Sequence, residues 1–206
     1  MPMEVPESSR DLIVAGIGFF GVLVGAGIAV LGQWLMIKRN EASERAYVAA
    51  NLVAALDQLA NDCASVAFDD GTTEGHPDED GYYYTQTPTP EFSLPESQSN
   101  LKHLSAATTY KILVLPNRIK SIVRSVSHER EHDDPPDFPR TFELRQYSFA
   151  TLGIDAATIS ERIRAEYKIV SRPSDIWNPV PALRDKVEAI EARRAKRSAS
   201  VPHLVI

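Results

Sequence analysis

Residues 12–37 decide the architecture: they read LIVAGIGFFGVLVGAGIAVLGQWLMI, a run of 26 residues without a charged side chain. Gln33 is the only strongly polar residue in the run, and Trp34 follows it, where an interfacial aromatic side chain is expected. Because roughly 20 apolar residues in a helix span the hydrocarbon core of a bilayer, the run predicts one transmembrane helix. It is too long, and its upstream flank too acidic, for a cleaved signal peptide.

The charges beside this run predict its orientation. Lys38 and Arg39 follow it directly and Arg45 lies close behind, whereas residues 1–11 contain one base, Arg10. Cytoplasmic flanks of membrane helices are enriched in Lys and Arg. We therefore expect a protein of the cell membrane, with a short extracytoplasmic tail over residues 1–11 and a cytoplasmic C-terminal domain.

Six of the ten glycines lie in the apolar run. Small residues on one face let two helices approach closely in lipid, where no hydrophobic force acts between them. The spacing predicts a self-association face and a homo-oligomer, although glycine is also common in membrane helices that do not associate. The predicted face consists of four glycines separated by three, four and seven positions, which keeps them on one side of a helix: Gly18, Gly21, Gly25 and Gly32.

The helix is expected to continue beyond the membrane, because no Gly or Pro occurs between Gln33 and Asp70. Except at Arg39, residues 38–68 keep the register of the glycine face with small and apolar side chains, and a second apolar strip at Leu52, Leu59 and Val66 widens it. Such a face is a packing seam that suits either a bundle core or a dimer. The register positions are Leu35, Arg39, Ala42, Ala46, Ala49, Val53, Leu56, Ala60, Cys63 and Ala67.

Residues 69–100 change character, with eight acidic residues, three glycines, four prolines and no Lys or Arg. This composition predicts a long acidic loop, and loops of that length in compact domains are often functional. The cluster Tyr82, Tyr83 and Tyr84 is the part of the loop expected to dock on another surface. The acidic residues match no calcium-binding loop and are expected in solvent.

Residues 101–198 predict the remaining helices. Apolar residues recur at helical spacing from Leu101 to Val126, with a break at Pro116, and again from Phe142 to Val170. A last helix starts near Pro181, and residues 199–206 form a tail. Since no segment alternates as a half-buried strand does, the prediction is an all-α protein, with one N-terminal transmembrane helix continuing into a small cytoplasmic helical bundle.

One catalytic pattern is present: His128, Glu129 and His132 match HExxH. In zinc hydrolases, this spacing places two imidazoles on one helical face around Zn²⁺, and the Glu acts as general base. Here the pattern directly precedes an Asp- and Pro-rich interruption, its variable positions are charged, and a third ligand is required. Glu143 is too near for the usual spacing, whereas Asp155 is at a suitable distance on another helix.

The rest of the composition favours interaction over catalysis. Because Cys63 is the only cysteine, the chain cannot form an internal disulfide. Cys63 is expected as a small apolar residue on a helix face. The cluster Arg193, Arg194, Lys196 and Arg197 either complements a helix C-terminus or touches anionic lipid. A net charge of -6 with long acidic stretches disfavours nucleic acid as a partner.

The sequence contains no motif that implies a cofactor. The leading hypothesis is a non-enzymatic, membrane-anchored interaction or scaffold protein, whose partners are the lipid bilayer, further copies of itself and an unidentified protein. The alternative hypothesis is a membrane-tethered zinc hydrolase that uses the HExxH residues.

Overall fold

The computed structural model describes residues 7–94, 101, 104–173 and 175–200, with side chains from residue 31 onward. The chain divides into two compact units: the N-terminal unit, residues 1–45, and the C-terminal unit, residues 46–206. Among the described residues there is no β-strand, and Thr73 and His76 form one isolated bridge. The predicted all-α class is confirmed, with helices α1 (Glu7–Phe68), α2 (Ala106–Leu113), α3 (Leu115–Arg130), α4 (Pro139–Tyr167) and α5 (Val180–Ser200).

In the N-terminal unit, every residue from 31 to 45 is exposed. Its apolar side chains Leu31, Trp34, Leu35, Met36 and Ile37 are each 51–72% exposed. Lys38 lies with its Nζ 3.8 Å from the centroid of the Trp34 ring.

Within the part of the chain that the structure describes, no helix is long and apolar enough to cross a membrane. Residues 12–30, which make up most of the predicted span, have side chains outside the described residues, and so do three of the four predicted interface glycines, Gly18, Gly21 and Gly25. Gly32 is described, and a Cβ added to it would meet nothing within 4 Å. The predicted span and its self-association face remain predictions.

In the C-terminal unit, the predicted seam on α1 forms the bundle core. The register residues from Ala49 to Ala67 are buried, and the neighbouring Leu52, Leu59 and Val66 are buried beside them. All but Ala67 share one apolar cluster with Ile112, Leu115 and Ile119 from α2 and α3, and with Phe149, Leu152, Ala156, Ile159 and Ile163 from α4. Ala67 lies in a smaller cluster with Ala64, Ala150 and Leu183. The dimer alternative does not apply to this stretch, because the protein's own helices cover it.

Helix α4 lies at the centre of the C-terminal unit and runs antiparallel to the end of α1. Two hydrogen bonds show the direction. Ser160 Oγ, near the end of α4, donates to Asp57 at 2.7 Å, and Arg145 Nη1, near the start of α4, donates to Asp69, just after α1, at 2.7 Å. Gly153 lies between these two points, where a Cβ would be 2.9 Å from Cys63 Cβ. α3 and α5 pack on α4 as well.

The segment after α4 is tied to α1 by charge. Asp57 accepts a hydrogen bond from Arg164 Nη2, and its Oδ1 lies 2.9 Å from Arg172 Nη2. Arg172 also donates to the Trp177 carbonyl at 3.2 Å. One carboxylate on α1 therefore holds both the end of α4 and the connection to α5.

The helix ends correct the sequence predictions in two places. α2 begins at Ala106, where the Ser105 hydroxyl accepts from the Thr108 N–H at 3.2 Å, and not at Leu101. Ser at this position offers the backbone a cap that the apolar spacing of the preceding residues does not reveal. α4 ends at Tyr167, because the next residue, Lys168, has a left-handed conformation; Val170 therefore lies beyond the helix and is 83% exposed. The break expected at Pro116 is present, since α2 ends at Leu113 and α3 begins at Leu115.

Candidate functional site

The HExxH residues lie at the C-terminal end of α3, which stops at Arg130. His128 and His132 are exposed, with ring centroids 4.9 Å apart. Glu129 faces Arg140 at the start of α4, at 3.5 Å from its Nε. A general base must be free to take a proton from metal-bound water, whereas the Glu129 carboxylate pairs with a guanidinium.

The two candidates for a third metal ligand are also paired with arginine. Asp155 Oδ2 lies 2.7 Å from Arg118 Nη2, and Glu143 Oε1 lies 2.9 Å from Arg194 Nε. Among the described residues, no group of three His, Cys, Asp or Glu side chains is arranged to hold a metal ion. The structure therefore brings the two histidines together and does not add the ligand that a zinc site requires.

Asp133, next to the HExxH residues, caps α4 from six positions before Pro139, the first residue of the helix. Its side chain is fully buried, and its two oxygens accept from the Thr141 N–H at 2.7 Å and from Arg140 Nε at 3.1 Å. Phe138 occupies the usual capping position without a side-chain hydrogen bond. Burial alone would raise the pKa of Asp133, but the hydrogen bonds from Thr141 and Arg140 outweigh it and lower the pKa below its ordinary 3.8.

We expect Asp133→Asn to remove a pH-dependent part of the stability. A carboxylate whose pKa is lowered by folding stabilises the protein above its unfolded value of 3.8, and this contribution is lost as the pH falls through the folded value. At neutral pH the variant should lose about 0.5–2 kcal/mol of unfolding free energy, the usual range for a lost cap. The measurement is denaturant unfolding of the full-length protein at neutral pH and below pH 3.8.

Asp134→Asn is the matched control, because Asp134 is the exposed neighbour of Asp133. Its stability should follow the wild-type protein at both pH values. An Asp133→Asn deficit that persists undiminished in acid would show that the cap does not depend on the charge.

The basic cluster at the end of α5 surrounds one carboxylate of α4. Glu143 is 12% exposed and lies 2.9 Å from Arg194, 2.5 Å from Arg197 and 3.8 Å from Arg193. Burial would raise the pKa of Glu143, but the hydrogen bonds from Arg194 and Arg197 lower it. The arginines thus fasten α5 to α4, a role that neither the helix-end nor the lipid interpretation of the sequence included.

Asp69, the first residue of the acidic segment, is the centre of a buried polar network. Its carboxylate accepts from Arg145 Nη1 at 2.7 Å, from the N–H groups of Gln86 and Thr87 at 2.9 Å each, and from the Gly71 N–H at 3.0 Å. Arg145 also donates to the Thr87 carbonyl at 2.6 Å. The ion pair therefore fixes residues 86–87 on α4, although Asp78, Glu79 and Asp80 of the same segment are exposed as predicted.

The tyrosine cluster lies on the surface of this segment. Tyr82 and Tyr84 are 39% and 46% exposed, with ring centroids 6.3 Å apart. The backbone beneath them is held by the Tyr83 N–H, which donates to the Pro136 carbonyl, and the Tyr84 N–H, which donates to the Gly71 carbonyl, both at 3.1 Å. The two rings are thus presented on an anchored stretch of backbone.

A groove of about 250 Å³ lies between α3, α4 and the extended residues 85–89. Its floor is one face of α4, with Thr141, Phe142, Arg145 and Phe149. Its walls are Val123, Val126, Ser127 and Arg130 of α3 on one side, and Thr85, Thr87, Pro88 and Thr89 on the other. The groove depends on the Asp69–Arg145 network, because that network holds the wall formed by residues 86–87.

Cys63 is buried in the core, and its surroundings disfavour a reactive thiol. Burial raises the pKa of its thiol to about 12. Since the thiolate is the nucleophile and the metal ligand, a thiol that stays protonated at neutral pH is inert. The expectation of an apolar helix-face residue is confirmed.

Comparison with protein-family models, with curated proteins and with solved structures gives no match. The interpretation of the molecule therefore depends on the residues described above. Sequence reasoning missed the groove, the Asp69–Arg145 pair and the Asp133 cap. The last had a signal, an Asp shortly before a Pro that starts a helix, but no local pattern marks the first two.

Proposed function

We propose that this is a non-enzymatic, single-pass membrane protein whose C-terminal unit is a helical bundle that presents interaction surfaces in the cytoplasm. The observation that carries the proposal is the uncharged run of residues 12–37, followed at once by Lys38 and Arg39. The bundle supports a non-enzymatic role, because arginines pair with the carboxylates of Glu129, Glu143 and Asp155, which a zinc hydrolase would need.

The exposed side chains at the end of the run support a membrane environment. At 100° per residue, Leu31, Trp34, Leu35, Met36 and Ile37 point in all directions around the helix, and each is at least 51% exposed. A helix that is apolar on every face is stable in lipid or in a protein interior, not in water. The ammonium of Lys38 over the Trp34 ring is an arrangement suited to the headgroup region, where both side chains are enriched.

A reporter fusion tests the anchor and its orientation. A reporter that is active only in the cytoplasm, fused after residue 206, is expected to be active and to fractionate with membranes. A fusion found in the soluble fraction contradicts the anchor, and an inactive membrane-bound fusion contradicts the orientation. Stoichiometric zinc in the purified full-length protein that disappears in His128→Ala would instead support the hydrolase.

We assign self-association to the glycine face of residues 18–32. The continuation of that face over residues 49–67 is covered within the C-terminal unit. We expect Gly21→Leu with Gly25→Leu to weaken self-association by several-fold in a membrane dimerisation assay, because the larger side chains prevent close helix approach. Gly16→Leu with Gly27→Leu, outside the predicted register, is the control and should associate like the wild-type helix.

A further inference from the structure

We propose that the groove between α3, α4 and residues 85–89 binds a small amphipathic anion, a carboxylate or phosphate carried on an apolar body. The groove lies wholly within the C-terminal unit. The proposal therefore does not depend on the membrane anchor, and the experiment that tests it is separate.

The size of the groove sets the class of ligand. Its volume of about 250 Å³ is just below the range of roughly 300–1,000 Å³ that is usual for small-molecule sites. A groove of this size holds one ring or a short chain with a charged end. It does not enclose a nucleotide.

The walls of the groove suit the apolar part of such a ligand. Phe142 and Phe149 line the floor, and Val123 and Val126 line the α3 side. Val123 is 38% exposed, so a ligand in the groove would remove an apolar side chain from water. Apolar walls with a few polar groups are the usual composition of small-molecule sites.

Arg130 supplies the charge preference. None of the residues that line the groove is acidic. Arg145 at the floor is neutralised by Asp69, whereas Arg130 has no ion-pair partner among the residues that the structure describes. Arg130 lines the groove, and its guanidinium lies 4.5 Å from the centroid of the Phe138 ring.

Residues with hydroxyl groups line both walls of the groove. Ser127 lies one turn before Arg130 on the same helix, and the opposite wall carries Thr85 and Thr89. A guanidinium with two donors in one plane matches a carboxylate or phosphate, and hydroxyl donors can satisfy the remaining oxygens.

The test uses full-length protein in zwitterionic nanodiscs, with empty nanodiscs as the blank, and saturation-transfer NMR of phenyl phosphate and benzoate. At least one of these aryl anions should bind. It should bind more tightly than benzyl alcohol, which has the ring without the negative charge, and more tightly than inorganic phosphate, which has the charge without the ring. Comparing the binding of phenyl phosphate with that of benzoate shows whether the site prefers a phosphate or a carboxylate.

Two variants and one matched control locate the binding. Arg130→Gln should weaken it about tenfold or more, since a charge-assisted hydrogen bond contributes roughly 1.5–3 kcal/mol. Val126→Phe should reduce it by filling the groove. Arg124→Gln, an exposed arginine on the same helix outside the groove, should leave it unchanged. Failure of both aryl anions to bind the wild-type protein, or equal binding by Arg130→Gln, overturns the proposal.

Discussion

Arg145→Ala is expected to destabilise the C-terminal unit by about 3–5 kcal/mol, the range for breaking a buried ion pair by removing one partner. The side chains of Arg145 and Asp69 are 5% and 1% exposed. Removing the guanidinium leaves the Asp69 carboxylate buried, with backbone N–H groups as its remaining donors. Burial of a charge without its partner is among the largest single effects known for a substitution.

The loss should extend beyond the free energy of unfolding. Arg145 also holds the Thr87 carbonyl, so residues 85–89 should be released from α4 and the groove should open. The measurements are thermal unfolding of the full-length protein and hydrogen exchange of residues 85–89. Protection of these residues that matches the wild-type protein would show that the groove wall does not depend on the ion pair.

Arg118→Ala is the matched control for this effect. Its ion pair with Asp155 has nearly the same length, 2.7 Å, but its side chains are 37% and 46% exposed. Exposed pairs contribute about 0–1 kcal/mol, because water screens the charges and competes for the hydrogen bonds. A loss in Arg118→Ala equal to that in Arg145→Ala would contradict the importance of burial.

Gly153→Val is the second substitution expected to have a large effect. A Cβ at this position would lie 2.9 Å from Cys63 Cβ and 2.9 Å from Leu183 Cδ1, and 3.4 Å from the Ala60 carbonyl. α4 is thus packed between α1 and α5 with no space for a side chain. Overpacking of this kind usually costs about 1–3 kcal/mol. The end of the Leu183 side chain can rotate away, but the Cys63 Cβ is fixed to the backbone of α1, so α1 and α4 must move apart.

Thermal unfolding of the full-length protein by circular dichroism measures the cost. Arg162→Val places the same β-branched residue at an exposed position of α4 and should lose about 0.5 kcal/mol through helix propensity. If Gly153→Val were no less stable than Arg162→Val, the close packing of the three helices around Gly153 would be wrong.

The class and most of the core could be predicted from the sequence because both depend on local periodicity. The seam from Ala49 to Ala67 and the stripe from Phe149 to Ile163 follow helical spacing, and Pro116 marks a break in the chain. The helices predicted from spacing extend too far at Leu101 and Val170. The start of α2 depends on the Ser105 cap, and the end of α4 depends on the left-handed Lys168.

The long-range polar pairs could not be predicted, since nothing local links their members. Asp69 and Arg145 are 76 positions apart, and Arg194 is 51 positions from Glu143. The composition of residues 69–100 indicates a solvated acidic loop, but composition cannot show that one of its carboxylates, Asp69, is buried. The sequence predicts that the basic cluster complements a helix end or touches lipid, because nothing local shows that its carboxylate partner, Glu143, lies on α4.

The buried thiol of Cys63 is a natural probe for transient opening of the helical bundle. It is the only cysteine in the chain and lies beside Gly153, where α1, α4 and α5 meet. An alkylating reagent can reach it only when these helices separate, so the rate of modification in native buffer measures how often the centre of the bundle opens. No label has to be introduced, and comparing Gly153→Val with the wild-type protein would show whether a tighter junction opens more often before it unfolds.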